Sequence, residues 1–297
     1  MPGEGMSGGI YYANLAANGL VEGFVIALTA LSITLVFGIA RFPNAATGDY
    51  MTLGAYAALG TQALAGAPIW LSAAGGMATT AAVALFFYVW VFRQLDNRSI
   101  VARLIASIGI AFFVRSVLTL FVGTDQRVFD APLVRALDFG GVRLLPSDLM
   151  ICAVAVAALA AVFGLLHLTP VGRRMRAVAD NLDLARASGI RARSVMLIMW
   201  LLAGALAGLA GTLIGLKSVV TPVLGWDLLL PGFAAAILGG VGSPVGAVIG
   251  GLAIGLLQEL STPLVGFTYK IAIAFLVLVV MLLLRPQGLF GNPVLVR

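Results

Sequence analysis

The sequence predicts an all-α protein that crosses a membrane many times. Its composition, its long apolar runs and the placement of its arginines lead to that prediction. Of the 297 residues, 61% are hydrophobic and 10% are charged, whereas about a quarter of the residues in a soluble domain carry charge. Because a helix needs roughly 20 apolar residues to cross a bilayer, we expect about eight transmembrane helices in a single membrane domain over residues 1–297.

The individual helices follow from long apolar runs. Seven runs predict membrane-spanning helices: residues 19–40, 51–65, 69–92, 104–122, 149–168, 195–216 and 269–284. A further stretch, residues 227–260, is apolar throughout but contains the glycine-rich segment 239–244. We predict a broken or re-entrant helix there, hinged at that segment, since residues 227–238 extend only about 18 Å against a hydrocarbon core of roughly 30 Å. The alternative is one continuous span, which would place the carboxyl terminus on the opposite side.

The arginines set the predicted orientation. Six lie in residues 169–194 and three more in residues 93–103, and loops rich in lysine and arginine stay in the cytoplasm. The first 18 residues hold neither lysine nor arginine, so we expect no cleavable signal peptide and an amino terminus outside the cell. The hinged form of residues 227–260 then puts the carboxyl terminus in the cytoplasm. Residues 123–148 form the main external loop, either as a plain connection or as a docking surface for an external partner.

The chain lacks the residues that several chemistries need. It has one cysteine, Cys152, and one histidine, His167, which excludes an internal disulfide, a thiolate metal cluster and a zinc site of the H-E-x-x-H kind. We therefore predict no catalytic and no metal site. The net charge of +6 comes from the loop arginines, and we interpret it as a topology signal and not as a nucleic-acid site.

Charged residues are rare within the predicted spans. Only Arg115 lies deep enough in its span to require a partner or a polar cavity. The side chains of Glu22, Glu259 and Lys270 lie near span ends, and we expect them to reach the membrane surface. No chain of acidic residues follows the spans, although proton relays commonly have one, and this disfavours an ion-coupled carrier.

Two breaks in the apolar runs predict a transport pathway. Irregular backbone at membrane depth is tolerated only where it is buried in protein or lines a cavity, and paired broken helices mark transport sites. The breaks are residues 41–49 and 239–244, and an ordinary tight turn is the alternative for the first. The predicted pathway residues are Asn44, Thr47, Asp49, Gly239, Gly240, Gly242 and Ser243. Four G-x-x-x-G pairs, at 204/208, 211/215, 246/250 and 251/255, predict either close helix packing or a subunit interface.

The loop at residues 169–194 carries a second pattern besides its arginines. Apolar residues recur at helical intervals between Gly172 and Gly189, so we expect a short amphipathic helix. A helix of this kind on the cytoplasmic face fits a groove on a soluble partner. The recurring residues are Met175, Val178, Ala179 and Leu182.

Five sequence segments resemble one family. They are PVGRRMRAVADNLDLARASGI at 170–190, GDYMTLGAY at 48–56, AGALAGLAG at 203–211, ILGGVGSPVGA at 237–247 and RPQGLFG at 285–291. Together they span most of the chain and resemble the permease subunits of branched-chain amino acid ABC importers, the LivH type. The resemblance implies a fold like that of a type II ABC importer permease, placed in a bacterial inner membrane.

The same resemblance implies partners. They are a second permease subunit, two cytoplasmic ATPases that carry the ATP and magnesium, and a periplasmic solute-binding protein. This chain has no G-x-x-x-x-G-K-[ST] loop, in keeping with ATP chemistry on separate subunits, and no cofactor is expected on it. The residues that match the family's ATPase coupling loop are Gly172, Arg173, Arg176, Ala177, Asn181, Ala185 and Gly189.

The implied function is import of a small polar or amphipathic solute by alternating access. Thr47 stands where the family commonly has histidine, so the solute is left open among branched-chain or related amino acids, short amides, urea and small carboxylates. The alternative function is an ion-coupled secondary transporter that acts without ATPases.

Overall fold

A computed structural model describes residues 8–96, 98–130, 135–285 and 287–291, which are mostly helical. The helices are α1 (Gly8–Ala40), α2 (Thr47–Ala65), α3 (Ile69–Trp90), α4 (Ile100–Val122), α5 (Pro146–Leu168), α6 (Pro170–Asp180), α7 (Leu182–Ala187), α8 (Ala192–Lys217), α9 (Leu224–Gly239), α10 (Pro244–Val265) and α11 (Lys270–Leu284). Short 3₁₀ turns cover Phe92–Leu95 and Phe267–Tyr269, and a hairpin of β1 (Leu137–Phe139) and β2 (Val142–Leu144) lies between α4 and α5. The all-α class that the sequence predicts is therefore confirmed.

Seven helices in the described part of the chain are long and apolar enough to cross a membrane. They are α1, α3, α4, α5, α8, α10 and α11, with α3 and α11 extended by their 3₁₀ turns. Two further helices in the bundle are less suited to crossing alone, since α2 has 19 residues with a lower hydropathy and α9 has 16. This set agrees with the prediction of about eight spans and a broken helix near residues 227–260.

The stretch predicted to be broken is indeed two helices, α9 and α10. Gly240 (φ 106°) and Gly242 (φ 88°) make the turn between them, and both φ values lie in the left-handed region that favours glycine. The predicted bounds were too narrow: α9 begins at Leu224 and α10 continues to Val265. The hinge is confirmed, but only the first of its two helices is short.

One end of the bundle gathers four segments, and we call it the coupling end. Arg41, just after α1, donates hydrogen bonds to main-chain carbonyl groups at the end of α6. Gly38 of α1 approaches Gly242 in the α9–α10 turn. Residues 289–290 donate main-chain hydrogen bonds, each 2.9 Å long, to residues 238–239. The described residues after α11 therefore lie at the same end as α6 and α7, as the hinged form requires; residues 1–7, 286 and 292–297 lie outside the described ranges.

α1 packs along α10 with little side-chain volume between the two backbones. Gly251 of α10 lies against Ala27 of α1, and Gly255 lies against Gly23. A Cβ added at Gly23 would lie 3.0 Å from the Cα of Leu252, which leaves no room for a larger residue. The other predicted glycine pairs likewise contact α2, α3 and α9 of the same chain, through Gly211, Gly204 with Gly208, and Gly246 with Gly250. These glycines therefore serve close packing within the chain.

The β1–β2 hairpin lies at the end of the bundle opposite the coupling end. Gly140 (φ 66°) and Gly141 (φ 95°) form its turn. Asn14 of α1 donates to the Gly141 carbonyl oxygen at 3.0 Å and accepts a hydrogen bond from the Arg143 N–H at 2.8 Å. The predicted helix began at residue 19, whereas α1 begins at Gly8. Residues 8–18 continue the helix as far as the hairpin, where Asn14 makes this contact.

Candidate functional site

The loop at residues 169–194 forms two short helices, so the prediction of a single helix was wrong. Asn181 lies between them, and its Oδ1 accepts hydrogen bonds from the N–H groups of Asp183 and Leu184, both at 3.0 Å. Asparagine is among the strongest helix N-caps, so it ends α6 and begins α7. Thr169 caps α6 in the same way through the Gly172 N–H at 3.2 Å. Periodicity alone did not reveal the break because the apolar residues continue at helical spacing across it.

One face of α6 and α7 is buried against the bundle and the other is exposed. Met175 and Val178 are each 1% exposed, whereas Leu184 is 66% exposed. We call the outward face of residues 170–187 the coupling surface. Its outward-facing arginines are Arg173 and Arg174. Arg176 is also exposed, but its guanidinium donates to the Leu166 carbonyl oxygen at the end of α5, and Arg186 lines a cavity on the side of the bundle. The two short helices therefore present positive charge away from the bundle while their apolar side fixes them to it.

The seven residues that match the family's coupling loop divide between these two faces. Gly172 and Ala185 are buried, and a side chain at Gly172 would meet the carbonyl groups at the end of α5. Ala177 is half-buried. The exposed members are Arg173, Arg176, Asn181 and Gly189. The small residues thus let α6 and α7 lie close to their neighbours. Among the exposed ones, Arg176 donates to the Leu166 carbonyl oxygen of α5 and Asn181 caps α7, so Arg173 is the side chain left available to a partner.

Arg41 joins the coupling surface to the segment that begins α2. Its Nη2 donates to the carbonyl oxygens of Ala179 at 2.9 Å and Asp180 at 3.2 Å, at the helix end where a cation is favoured by the helix dipole. Its φ is 56°, and no other non-glycine residue in the described ranges has a positive φ. Such a backbone conformation costs on the order of 1–3 kcal/mol and persists only where the surrounding structure determines it. Arg41 is therefore a constrained link and not a free loop residue.

Residues 42–46 carry the chain from Arg41 along α4 into the bundle. A main-chain N–H of this segment donates to Ser107 Oγ of α4 at 3.1 Å. The Asn44 Oδ1 accepts a hydrogen bond from the Ala46 N–H at 3.1 Å, and Thr47 Oγ1 donates to the Asn44 carbonyl oxygen at 3.0 Å. Asn44 and Thr47 are both buried. In the described structure these two predicted pathway residues shape the turn that starts α2.

α2 and α9 both begin inside the bundle, and their first turns meet. A Cβ added at Gly48 of α2 would lie 2.9 Å from the carbonyl oxygen of Gly225 of α9. The Gly225 N–H donates to Thr52 Oγ1 at 3.0 Å. We call this meeting point, together with the adjoining pair of Asp49 and Arg115, the helix-start junction. Two helices that both begin within the bundle meet at this junction.

Asp49 and Arg115 form an ion pair at the helix-start junction. Arg115 donates from Nε to Asp49 Oδ1 at 2.8 Å and from Nη2 to Oδ2 at 3.1 Å. The Asp49 side chain is 1% exposed and that of Arg115 is 21% exposed. The guanidinium also lies 5.1 Å from the ring centre of Trp226 and 5.7 Å from that of Phe112, a favourable cation–π arrangement. Arg115 was expected to need a partner because it lies deep in its span, and Asp49 is that partner.

The second group of predicted pathway residues lies apart from this junction, at the coupling end. Gly239 packs against the backbone of Gly246, and Gly240 approaches residue 291. Ser243 Oγ accepts a hydrogen bond from the Gly246 N–H at 3.1 Å and so caps α10. Gly242 completes the turn with its positive φ. The structure therefore separates the two predicted groups.

Sequence analysis missed the start of α9 as a member of the site. The signal was present, because Pro222 lies just before the helix and Asp227 is a charged residue in its first turn, both common signs of a helix start. Trp226 and Asp227 are exposed in this chain, next to the helix-start junction. An ionisable residue facing lipid is costly, so this face suits a polar path or a partner chain better than lipid.

Glu22 and Glu259 both bind Lys270, a grouping that was not predicted from the sequence. The Lys270 Nζ lies 2.8 Å and 3.0 Å from the two carboxylate oxygens of Glu22 and 2.9 Å from Glu259 Oε1. It also lies 4.5 Å from the ring centre of Phe267, and Lys217 Nζ is 3.9 Å from Glu22. Spacing along the chain did not show that α1, α10 and α11 meet at this point.

A family model and related sequences identify one family. A family model described as branched-chain amino acid transport system / permease component matches residues 15–284. BraD from Pseudomonas aeruginosa, a high-affinity branched-chain amino acid transport system permease protein, is 28% identical over 95% of this chain and 97% of its own. LivH from Escherichia coli strain K12, which has the same descriptive name, is 29% identical over 96% of this chain and 97% of its own. A solved structure, PsaBC from Streptococcus pneumoniae in complex with Fab, has a TM-score of 0.49 and 14% identity over 91% of each chain.

The family match begins within α1 and ends with α11. It therefore covers the coupling surface, the helix-start junction, the α9–α10 turn and four of the five sequence segments, and it ends just before the fifth, at 285–291. The chain belongs to the family of permease components of branched-chain amino acid transport systems.

Proposed function

We propose that the coupling surface binds a cytoplasmic ATPase, and that this chain is the permease through which ATP hydrolysis drives solute import. The partners are a second permease subunit, two ATPases and a periplasmic solute-binding protein. The amino terminus lies outside, and α6, α7 and the carboxyl terminus lie in the cytoplasm of a bacterial cell with this chain in its inner membrane. BraD and LivH are named as branched-chain amino acid permeases, so a branched-chain amino acid is the first solute to test.

One observation carries the proposal: the coupling surface is exposed and arginine-rich, and buried apolar side chains fix it to the bundle. Met175 and Val178 are buried against the bundle while Arg173 and Arg176 are exposed. An amphipathic helix with a fixed apolar side and a free polar side can transmit a push from a partner without first folding. A flexible basic loop would satisfy the charge pattern but would not transmit force.

The route from the coupling surface to the helix-start junction is short: hydrogen bonds join α6 to Arg41, and the main chain joins Arg41 to α2. Arg41 holds the end of α6, and only residues 42–46 separate it from the first turn of α2, where Asp49 binds Arg115. A displacement of α6 by the ATPase would therefore act on the junction through Arg41. This supports alternating access with the junction as the moving part of the path.

The ion-coupled alternative has less support. Asp49 pairs with Arg115, and Glu22 and Glu259 pair with Lys270. A carrier of this kind needs a carboxylate that is free to bind the coupling ion, and each of these carboxylates already binds a cation of this chain. The carboxylates described here are therefore better suited to holding helices together.

The test is to remove charge from the coupling surface and to measure ATP hydrolysis by the assembled importer. In the double variant Arg173→Ala/Arg174→Ala, solute-stimulated hydrolysis should fall by about tenfold or more, because central arginines carry much of the binding energy of an interface. The matched control is Arg98→Ala/Arg191→Ala, which removes two exposed arginines from the same end of the bundle but outside residues 170–187. If both variants keep stimulated hydrolysis, or both lose it equally, the assignment of the coupling surface is wrong.

A further inference from the structure

A cavity of about 580 Å³ lies behind the coupling surface, between α6–α7 and the ends of α1, α3, α4 and α8. We call it the arginine cavity. Five arginines line it: Arg41, Arg93, Arg103, Arg186 and Arg193. Three aspartates line it as well, so the wall carries an excess of positive charge. Side chains of Ile39, Tyr88 and Met196 supply its less polar part.

The aspartates neutralise only part of the positive charge in this cavity. Among the described residues, Arg186 with Asp183, at 4.0 Å, is the one ion pair that a cavity arginine makes. Arg103 donates to the Ala40 carbonyl oxygen at 2.7 Å, and its buried Nε has no hydrogen-bond partner in the described structure. Arg41 is used on main-chain carbonyl groups. The remaining two arginines, Arg93 and Arg193, form no side-chain hydrogen bond or ion pair with the described residues and are exposed to the cavity and to solvent.

Asp96 is the carboxylate placed to compensate this charge, and it does so incompletely. Burial raises the pKa of the Asp96 carboxyl above its ordinary value, and the guanidinium groups of Arg103, Arg186 and Arg93 oppose that rise. One carboxylate shared among three arginines leaves donor groups free. Because guanidinium groups present paired donors that match phosphate oxygens, an arginine-lined pocket of this size is suited to a phosphate group.

We propose that the arginine cavity binds a phosphate group, held mainly by Arg93, Arg103 and Arg193. The group belongs either to the head of an anionic phospholipid or to a soluble phosphate compound. Basic pockets between transmembrane helices on the arginine-rich side of a membrane are known to hold anionic head groups. Ile100 and Val101 at the start of α4, close along the chain to Arg103, are exposed and leave an apolar surface for acyl chains.

A bound phosphate would join the coupling surface to the bundle. Arg186, which also lines the cavity, belongs to α7, whereas Arg93 follows α3 and Arg193 belongs to α8. An anion held by Arg93 and Arg193 that also contacts Arg186 therefore crosslinks three elements. This role rests on the proposed function, that the coupling surface binds an ATPase. The anion then stabilises the position of α6 and α7 against the ends of α3 and α8. Binding of the phosphate group itself does not depend on that function.

The experiment uses the full chain purified with its partner subunits in nanodiscs of phosphatidylcholine, to which phosphatidylglycerol or inorganic pyrophosphate is added. The test variant is Arg93→Gln/Arg193→Gln. The matched control is Arg98→Gln/Arg191→Gln, which removes two exposed arginines from the same end of the molecule but outside the cavity lining. Bound phosphatidylglycerol is counted by native mass spectrometry and pyrophosphate by equilibrium dialysis.

We expect about tenfold weaker binding in the cavity variant and unchanged binding in the control. Loss of phosphatidylglycerol identifies the lipid source, and loss of pyrophosphate alone identifies the soluble one. Equal binding by the two variants to both probes overturns the proposal. Retention of the ATPase subunits, measured in the same preparations, reports separately on the proposed function, so failure of one is not mistaken for failure of the other.

Discussion

Replacing Arg115 with methionine should destabilise the chain strongly, because the substitution leaves the Asp49 carboxylate without its cation. The Asp49 side chain is 1% exposed and both of its oxygens accept from Arg115, so water cannot take over from the guanidinium. Removing one partner of a buried ion pair costs about 3–5 kcal/mol. Methionine keeps most of the volume of the side chain, so the packing against Trp226 and Phe112 changes little in comparison.

The magnitude translates into a measurable shift in thermal unfolding. For a chain of this length, an unfolding entropy of roughly 2.1 cal/mol/K per residue gives about 1.6 °C per kcal/mol, so we expect the midpoint in detergent to fall by about 5–8 °C. The double variant Arg115→Met/Asp49→Asn removes both charges and should recover most of this loss. Within a double-mutant cycle the two substitutions should therefore be strongly non-additive. A single variant as stable as the unmodified chain, or a double variant that recovers nothing, would refute the reasoning.

Three further substitutions test other parts of the structure. Lys270→Met should lower the unfolding midpoint by several degrees, since it leaves Glu259 unpaired and leaves Glu22 with only Lys217, at 3.9 Å. Exchanging both glutamates for glutamine as well should restore the midpoint, and equal midpoints for the single and triple variants would contradict the cluster. Asn181→Ala should weaken stimulated ATP hydrolysis by removing the α7 cap, which is worth about 1 kcal/mol, whereas Asn181→Ser should keep it. Gly255→Ala should destabilise the chain by about 1–3 kcal/mol because the methyl group meets the α1 backbone, and Gly164→Ala, which meets open space, should not; a similar effect at both sites, measured by thermal unfolding, would argue against the α1–α10 contact.

Much of the fold was determined by the sequence alone. Membrane spans depend on the summed hydropathy of about 20 consecutive residues, which is a local property, so the runs that became α1, α3, α4, α5, α8 and α11 were identified with only their ends in error. The hinge at residues 239–244 was equally local, because glycine and proline act on their own backbone. The position of the coupling surface followed from the arginines and the apolar periodicity of residues 169–194.

The contacts within the candidate site were decided by the tertiary structure. Arg115 and Asp49 are 66 positions apart, and Lys270 and Glu22 are 248 apart, so their pairing depends on which helices are neighbours, and hydropathy carries no information on that. The same holds for the meeting of Gly48 with Gly225. The break at Asn181 has a local cause, because the Asn181 side chain caps α7 and so ends α6. The sequence determined whether each segment forms a membrane helix or a turn, because transfer free energy and backbone preference are local properties. Helix packing determined which charged and glycine residues meet, because only packing brings distant residues within hydrogen-bonding distance.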